Sequence, residues 1–363
     1  MMRILILFLA ALAAACGGEP EETPVRAPSS KPHVPFRGES HLRNLRQITF
    51  GGENAEAYWS FDEKRLIFQS TRPPFKADQI FTIRPDGSDV KLVSTGKGRT
   101  TCAYFLPGDD HILYASTHAA GDEPPQPPDR SKGYVWAIYD SYDIYVANAD
   151  GSGAKNITNR PGYDAEATVS PAGDRIVFTS TRDGDIELYS MDVGGNDVKR
   201  LTNRPGYDGG AFFSWDGKKI VWRAPGQEGV SEDYHPLLKM GLVKPSKLEI
   251  WIADADGSNA KQVTSNGAAN FGPFWHPDNR RVIFSSNVSD PKRANFEIHI
   301  VDTETGEIEQ VTHFARTREG ARRSDDFDGF PMFTRDGKRL VFCSNRYNDK
   351  PNETNVFVAD WVD

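Results

Sequence analysis

The sequence predicts an all-β fold, a six-bladed β-propeller of four-stranded blades closed by an N-terminal strand that completes the last blade. Three observations carry that prediction. First, a unit of four parts recurs along the chain, and one full period, Thr158 to Thr202, spans 44 residues, the length of a propeller blade. Second, one part of every unit is apolar on consecutive rather than alternate positions, as a strand covered on both faces must be. Third, the parts close into a ring. The first three occur six times each, whereas the fourth follows a third only five times. Its missing copy stands at the other end of the chain, as "LRQIT", Leu45 to Thr49.

The elements follow in chain order. Met1 to Arg3 is a short positive region and Ile4 to Leu12 an apolar one, so residues 1–15 read as a signal peptide. "LAAAC" then resembles a bacterial lipobox, which makes Cys16 the expected site of lipidation; the alternative is an ordinary secretory signal. Residues 16–42 read as the lipidated Cys and a flexible tether, because "GGEPEETPVRAPSSKPHVPF" is polar and Pro-rich. A coil of that length reaches roughly 25 Å. Residues 43–363 hold the propeller.

Within it the first part of each unit is a strand running into a turn: "AYWSFDEK", "AYFLPGDD", "ATVSPAGD", "AFFSWDGK", "PFWHPDNR" and "PMFTRDGK". The second is "RLIFQS", "HILYAS", "RIVFTS", "KIVWRA", "RVIFSS" and "RLVFCS". The third includes "DIYVANADGS" and "EIWIADADGS", whose Asp-Gly pairs suit tight hairpins. The fourth is "VKLVS", "KNIT", "KRLT", "KQVT" and "EQVT". "LRQIT" is expected to pair with Asn355 to Ala359, removing an open edge.

These units resemble the TolB-type, or PD40, family of bacterial six-bladed propellers. The "SPDG"-like turn, the "TSTRDGD" turn and the "NADGS…LT" ending carry the resemblance, over Arg43 to Asp363. TolB places an α/β domain before its propeller, which this short tether has no room for, so a partnership with the Tol–Pal system is not implied. The resemblance implies fold more than activity, since propellers host many functions.

A formal net charge of −8 argues against nucleic acid as a partner. Cys102 and Cys343 fall in blades that are not neighbours, so both are expected as buried free thiols. No nucleophile elbow, P-loop or dinucleotide fingerprint is present. A monomer is expected, with a lipid anchor as its one membrane contact.

Chemistry is expected on the face where inner strands begin. Two connections there are long, Ser116 to Asp143 and Arg223 to Glu249, and long ordered insertions favour binding. In the second, "SEDYHPLLKMGLV" suits a short helix over the mouth. The inner strands open with Asn54, Thr100, Asp164, Asp208, Asn270 and Asp328, a ring of oxygen-bearing side chains, and Glu56 and Glu166 stand two positions on. Either these face the channel as an electronegative mouth for a cationic group, or they cap loops and bond to neighbouring blades. Arg72, His118, Arg182, Asn287 and Arg346 end the second strands and either meet a ligand or brace a blade.

Two functions remain. One is a non-enzymatic cell-envelope binding scaffold that recognises a peptide, protein or glycan at the top funnel, on an outer-membrane lipoprotein facing the periplasm. The other is a metal-assisted propeller lyase or hydrolase acting on an envelope or imported polymer, with His118, Asp164, Glu166, Asp208 and His235 as its site. No cofactor is called for, a divalent cation at the channel mouth being the one candidate.

Overall fold

Each repeat unit folds as a four-stranded antiparallel sheet, and six sheets close a ring. The structure, a computed structural model, describes residues 30–131, 133–313, 326–348, 350 and 352–363. The expected signal peptide and Cys16 lie outside the described residues.

From the axis outward, blade one is Glu53–Trp59, Leu66–Thr71, Gln79–Ile83 and Lys91–Leu92. Blade two is Thr100–Phe105, His111–Ser116, Asp143–Asn148 and Lys155–Asn156, and blade three Asp164–Val169, Arg175–Ser180, Glu187–Asp192 and Lys199–Arg200. Blade four is Gly209–Phe213, Lys219–Pro225, Leu248–Asp254 and Lys261–Gln262, and blade five Asn270–Trp275, Arg281–Ser286, Glu297–Asp302 and Ile308–Gln310. Blade six joins both ends of the chain: Asp328–Phe333, Arg339–Ser344, Asn355–Trp361 and then Leu42–Gln47. The apolar second-strand runs are buried between neighbouring blades, with Phe68, Tyr114, Phe178, Phe284 and Phe342 all inaccessible.

The closing strand has the expected partner but begins earlier than expected, with Leu42 opposite Trp361 and Gln47 opposite Phe357. Its last residue works through its side chain. In blades two to five the final Thr of each unit accepts a backbone N–H from the third strand and donates to an acid on that strand: Thr158 to Asp143, Thr202 to Glu187, Thr264 to Glu249 and Thr312 to Glu297, at 2.6–2.9 Å. Thr49 repeats this in blade six, accepting from Val356 N–H at 2.8 Å and bonding Asn355 at 3.1 Å. This bridge is why the "LT" ending recurs.

The chain joins the ring before the expected boundary at residue 43. Lys31–Pro32 adds a fifth strand, opposite Gln47 and Arg46. The His33 ring stacks on Tyr347 at 4.1 Å, and Arg346 lies over Phe36 at 4.9 Å. Glu39, fully buried, binds Arg346 at 2.9 Å. Pro-rich composition hid a segment whose few rings and one acid each find a partner on blade six. On the opposite face Glu63 of the first blade accepts from Arg335 N–H and from Arg339, both at 2.8 Å, clasping first blade to last.

The Asp-Gly hairpins differ in detail from a paired left-handed turn. Only the Gly takes positive φ, as Gly151 does at +87°, while Asp150 accepts the N–H of Ser152. A Cβ on Gly151 would meet the Val93 carbonyl of the neighbouring blade at 2.4 Å, so blade packing also demands Gly there.

Below the middle of the ring the axis is filled. Tyr58 and Phe212, from opposite blades, meet edge-on at 5.3 Å, with Tyr104 and Phe274 packed against Phe212. The central channel therefore ends blind.

Candidate functional site: a lidded chamber on the axis

Above the aromatic plug lies a cavity of about 1090 Å³. The two long insertions roof it. Trp136–Ala137 from blade two pairs antiparallel with Leu242–Val243 from blade four, and Ile138 N–H donates to Gly241 O at 2.7 Å. The expected helix forms at Tyr234–Leu238, pinned where the Tyr234 hydroxyl donates to Asp185 of blade three. Ile138, Tyr142, Tyr163, Tyr207, Tyr234 and Val243 make one buried cluster beneath the roof. The Trp136 ring reaches Phe271 of blade five at 5.3 Å.

The chamber wall is set by one repeated irregularity. Every inner strand carries a β-bulge, and at each bulge one residue is left-handed: Glu56, Cys102, Glu166, Gly210, Gly272 and Phe330, with φ between +51° and +62°. All six line the cavity. A bulge bends its strand and re-aims a side chain. Left-handed backbone suits Gly and strains a larger residue by of order 1–3 kcal/mol. Blades four and five use Gly; blades one and three hold Glu.

Glu166 is fully engaged. It forms an ion pair with Arg223, and accepts from the Tyr207 hydroxyl at 2.9 Å, the Thr179 hydroxyl at 2.8 Å and Gly210 N–H at 3.0 Å. Arg223 lies over the Tyr207 ring at 4.8 Å and the Trp136 ring at 5.6 Å, joining wall to lid. A Cβ on Gly210 would sit 2.0 Å from the Arg223 guanidinium, and one on Gly209 2.4 Å from Glu166. The Gly-Gly of "YDGGAFF" is therefore room for this ion pair.

Glu56 is the contrast. Among the described residues its side-chain hydrogen bond is with the Cys102 thiol. Burial, with the Glu166 charge adding to it and the thiol and Arg223 opposing, pushes its carboxyl up to about 7. Burial likewise holds Cys102 well above its usual range, so it stays a thiol. Cys102 and Cys343 are free; Cys343 is fully buried, whereas Cys102 is part-exposed at the cavity.

Of the expected ring of inner-strand residues, Asn54 alone is among those lining the cavity. Asn54, Thr100, Asp164, Asp208, Asn270 and Asp328 are all buried, and the second-strand set braces them. Asn54 accepts from Ser70 at 2.9 Å and Arg72 at 2.6 Å. Asp164 binds Arg182 at 3.0 Å, and Asp328 binds Arg346 at 2.7 Å. Thr100 and His118 share Ser116, at 2.9 and 2.8 Å. Asn270 donates to Leu248 O of the preceding blade at 2.7 Å, and Asn287 caps Ala269 N–H at 2.9 Å. Asp208 accepts from Trp222 at 3.2 Å, and burial beside Glu187 raises its carboxyl well above the usual range. The arginines lie over their own blade's rings, Arg72 on Phe68, Arg182 on Phe178 and Arg346 on Phe342. Two carboxylates paired with arginine, one buried carboxyl whose charged form burial disfavours and three neutral side chains do not make an electronegative mouth. In this ring the side chains bond within their own blade or to the preceding one.

Of the expected residues, Asn54, Glu56 and Glu166 line the chamber, and so does Asn287 of the second-strand set. The five residues of the metal-assisted alternative are dispersed among separate partners, His235 being exposed on the lid helix. Among the described residues no group of three or more His, Cys, Asp or Glu is placed to hold a metal. The sequence reading missed Arg223, Tyr207 and Trp136; the Gly-Gly at 209–210 was the one local signal of a close approach there.

Residues 124–232 match the family model described as the TolB beta propeller domain. That stretch runs from the long connection of blade two, through blade three, into that of blade four. Among solved structures, a putative TolB from Agrobacterium tumefaciens matches at a TM-score of 0.54 and 17% identity, covering 88% of this chain and 97% of that one. TolB from Acinetobacter baumannii matches at 0.54 and 19%, over 86% of this chain and 64% of that one. An oligogalacturonate lyase in complex with manganese matches at 0.52 and 14%, over 93% and 97%. At such identities the likeness is one of fold. A search of curated proteins finds no match.

Proposed function

We propose that the protein is a non-enzymatic binding scaffold of the cell envelope that takes a peptide, protein segment or glycan into the lidded chamber. The observation that carries this is the pairing of two insertions, from blades that are not neighbours, across the mouth of a blind cavity. A flap serving only stability has no need to enclose space. The volume lies just above the roughly 300–1,000 Å³ of ligand sites, and the lining is rich in aromatic rings, as such sites are. A thermal-shift screen of short peptides and oligosaccharides tests it, with each stabilising compound repeated on Trp136→Ala. A compound that stabilises the parent protein and not the variant occupies the chamber. A screen in which every hit acts equally on both removes the reading.

The envelope location rests on "LAAAC" and the apolar segment before it. Attachment through lipid on Cys16, in the outer membrane and facing the periplasm, predicts that Cys16→Ser moves the protein from the membrane fraction to the soluble one. A parent protein that is already soluble contradicts it. No described helix is long and apolar enough to cross a membrane.

A further inference from the structure

We propose that the chamber takes a small anionic ligand, its carboxylate, phosphate or sulfonate group met by Arg130, Lys247 and Arg293 at the mouth and its apolar or ring-bearing body held by the aromatic walls. This deepens the chamber reading above and rests on it.

Charge is the first argument. Glu53, Glu56, Asp78 and Glu166 line the cavity, as do Arg99, Arg130, Arg223, Lys247 and Arg293. Asp78 pairs with Arg99 and Glu166 with Arg223. The other three bases have no carboxylate partner among the described residues. Arg130 lies over the Tyr134 ring at 4.9 Å, and Arg293 reaches only the carbonyls of Asn287 and Asn266, at 3.3 and 3.4 Å. Against them stand Glu53, exposed and within reach of Arg130's charge, and Glu56, whose burial leaves it only part ionised near neutrality. The mouth is thus basic on a chain of net charge −8. A basic mouth on an acidic body concentrates anions there.

Backbone strain is the second argument, independent of charge. Lys247 and Arg293 are both left-handed, each at φ +55°. Elsewhere in the ring that conformation falls often on Asn and Asp in turns and loops, such as Asp89, Asp197, Asn259 and Asn279, where a short polar side chain tolerates it. Lys and Arg have no such local compensation. Strained residues gather where a site holds them, and here they gather on one cavity.

The body of the ligand is defined by the walls. Trp136 and Tyr139 from the lid face a cavity also lined by Phe271, Phe296, Phe327 and Phe330. Flat apolar surface on two sides suits a ring or an acyl segment.

Two fluorescent dyes of matching shape test this on the whole folded domain: anilinonaphthalene sulfonate, which is anionic, and N-phenyl-naphthylamine, which is neutral. The anionic dye is expected to bind with one-to-one stoichiometry. The triple variant Arg130→Ala, Lys247→Ala, Arg293→Ala weakens it at least tenfold and leaves the neutral dye within twofold. Raising salt from about 50 to about 500 mM weakens the anionic dye alone. Trp136→Ala weakens both. If the triple variant binds the anionic dye as the parent does, the anion inference falls while the chamber stands. If neither dye binds, or Trp136→Ala changes neither, the chamber reading falls with it.

Discussion

Removing the chain through Thr49 abolishes the cooperative melt of the propeller, whereas removing it only through Phe36 lowers the midpoint by a few degrees. The longer truncation takes out Leu42, Leu45 and Ile48, each at most 1% exposed. Burial of such side chains is worth about 1.5–3 kcal/mol each. It also removes the Thr49 bridge to blade six, and takes Glu39 from Arg346, leaving a buried guanidinium with Asp328 as its one carboxylate. Together these losses rival the whole net stability of a typical domain, about 5–15 kcal/mol. They also bare the edge of Asn355–Trp361, which invites pairing with another chain. The shorter truncation loses the two-residue outer strand, the His33 stack on Tyr347 and the Phe36 ring over Arg346, about 1–2 kcal/mol of partly exposed contacts. Thermal melts with a light-scattering channel check both. Equal midpoints would show that Leu42–Gln47 is not the strand that closes the ring.

Two glutamates at the same bulge position give opposite results. Glu166→Ala leaves Arg223 buried with only the Tyr207 hydroxyl among its side-chain partners, and costs about 3–5 kcal/mol. Glu56→Gln stabilises the protein, and only at high pH. Folding raises the Glu56 carboxyl from 4.5 to about 7. Its contribution is therefore full below pH 4.5 and is lost as pH climbs through 7. A glutamine stays neutral throughout, so the gain reaches about 3 kcal/mol above the folded value, at 1.36 kcal/mol per unit. Urea denaturation at about pH 5 and pH 8.5 reads it. The parent protein loses stability between the two and Glu56→Gln loses less. A variant that follows the parent at both values would place the raised carboxyl elsewhere.

Much of the ring was legible without coordinates, because each blade repeats the same local chemistry. Apolar second strands, turn residues and the terminal Thr all recur at one period, and the displaced copy at Leu45 to Thr49 identified the closing partner. The fate of the tether was less legible. Composition averages over a segment, whereas His33, Phe36 and Glu39 act one at a time against residues some 300 positions away, Tyr347 and Arg346.

The residues that face the chamber were decided otherwise. On a regular strand Asn54 and Glu56 share a face, as do Asp164 and Glu166, because side chains alternate with period two. The bulges between Ala55 and Tyr58 and between Ala165 and Thr168 break that phase. They leave the first residue of each pair buried among blade contacts and bring the second to the cavity wall. The number of blades, their order, the turn positions and the closing strand are written in the residues, since these depend on interactions repeated within each unit. The site is a product of the folded ring. Its phase is set by a backbone bulge that no residue type announces, and its roof by Trp136–Ala137 meeting Leu242–Val243, a contact between distant loops that no local pattern encodes.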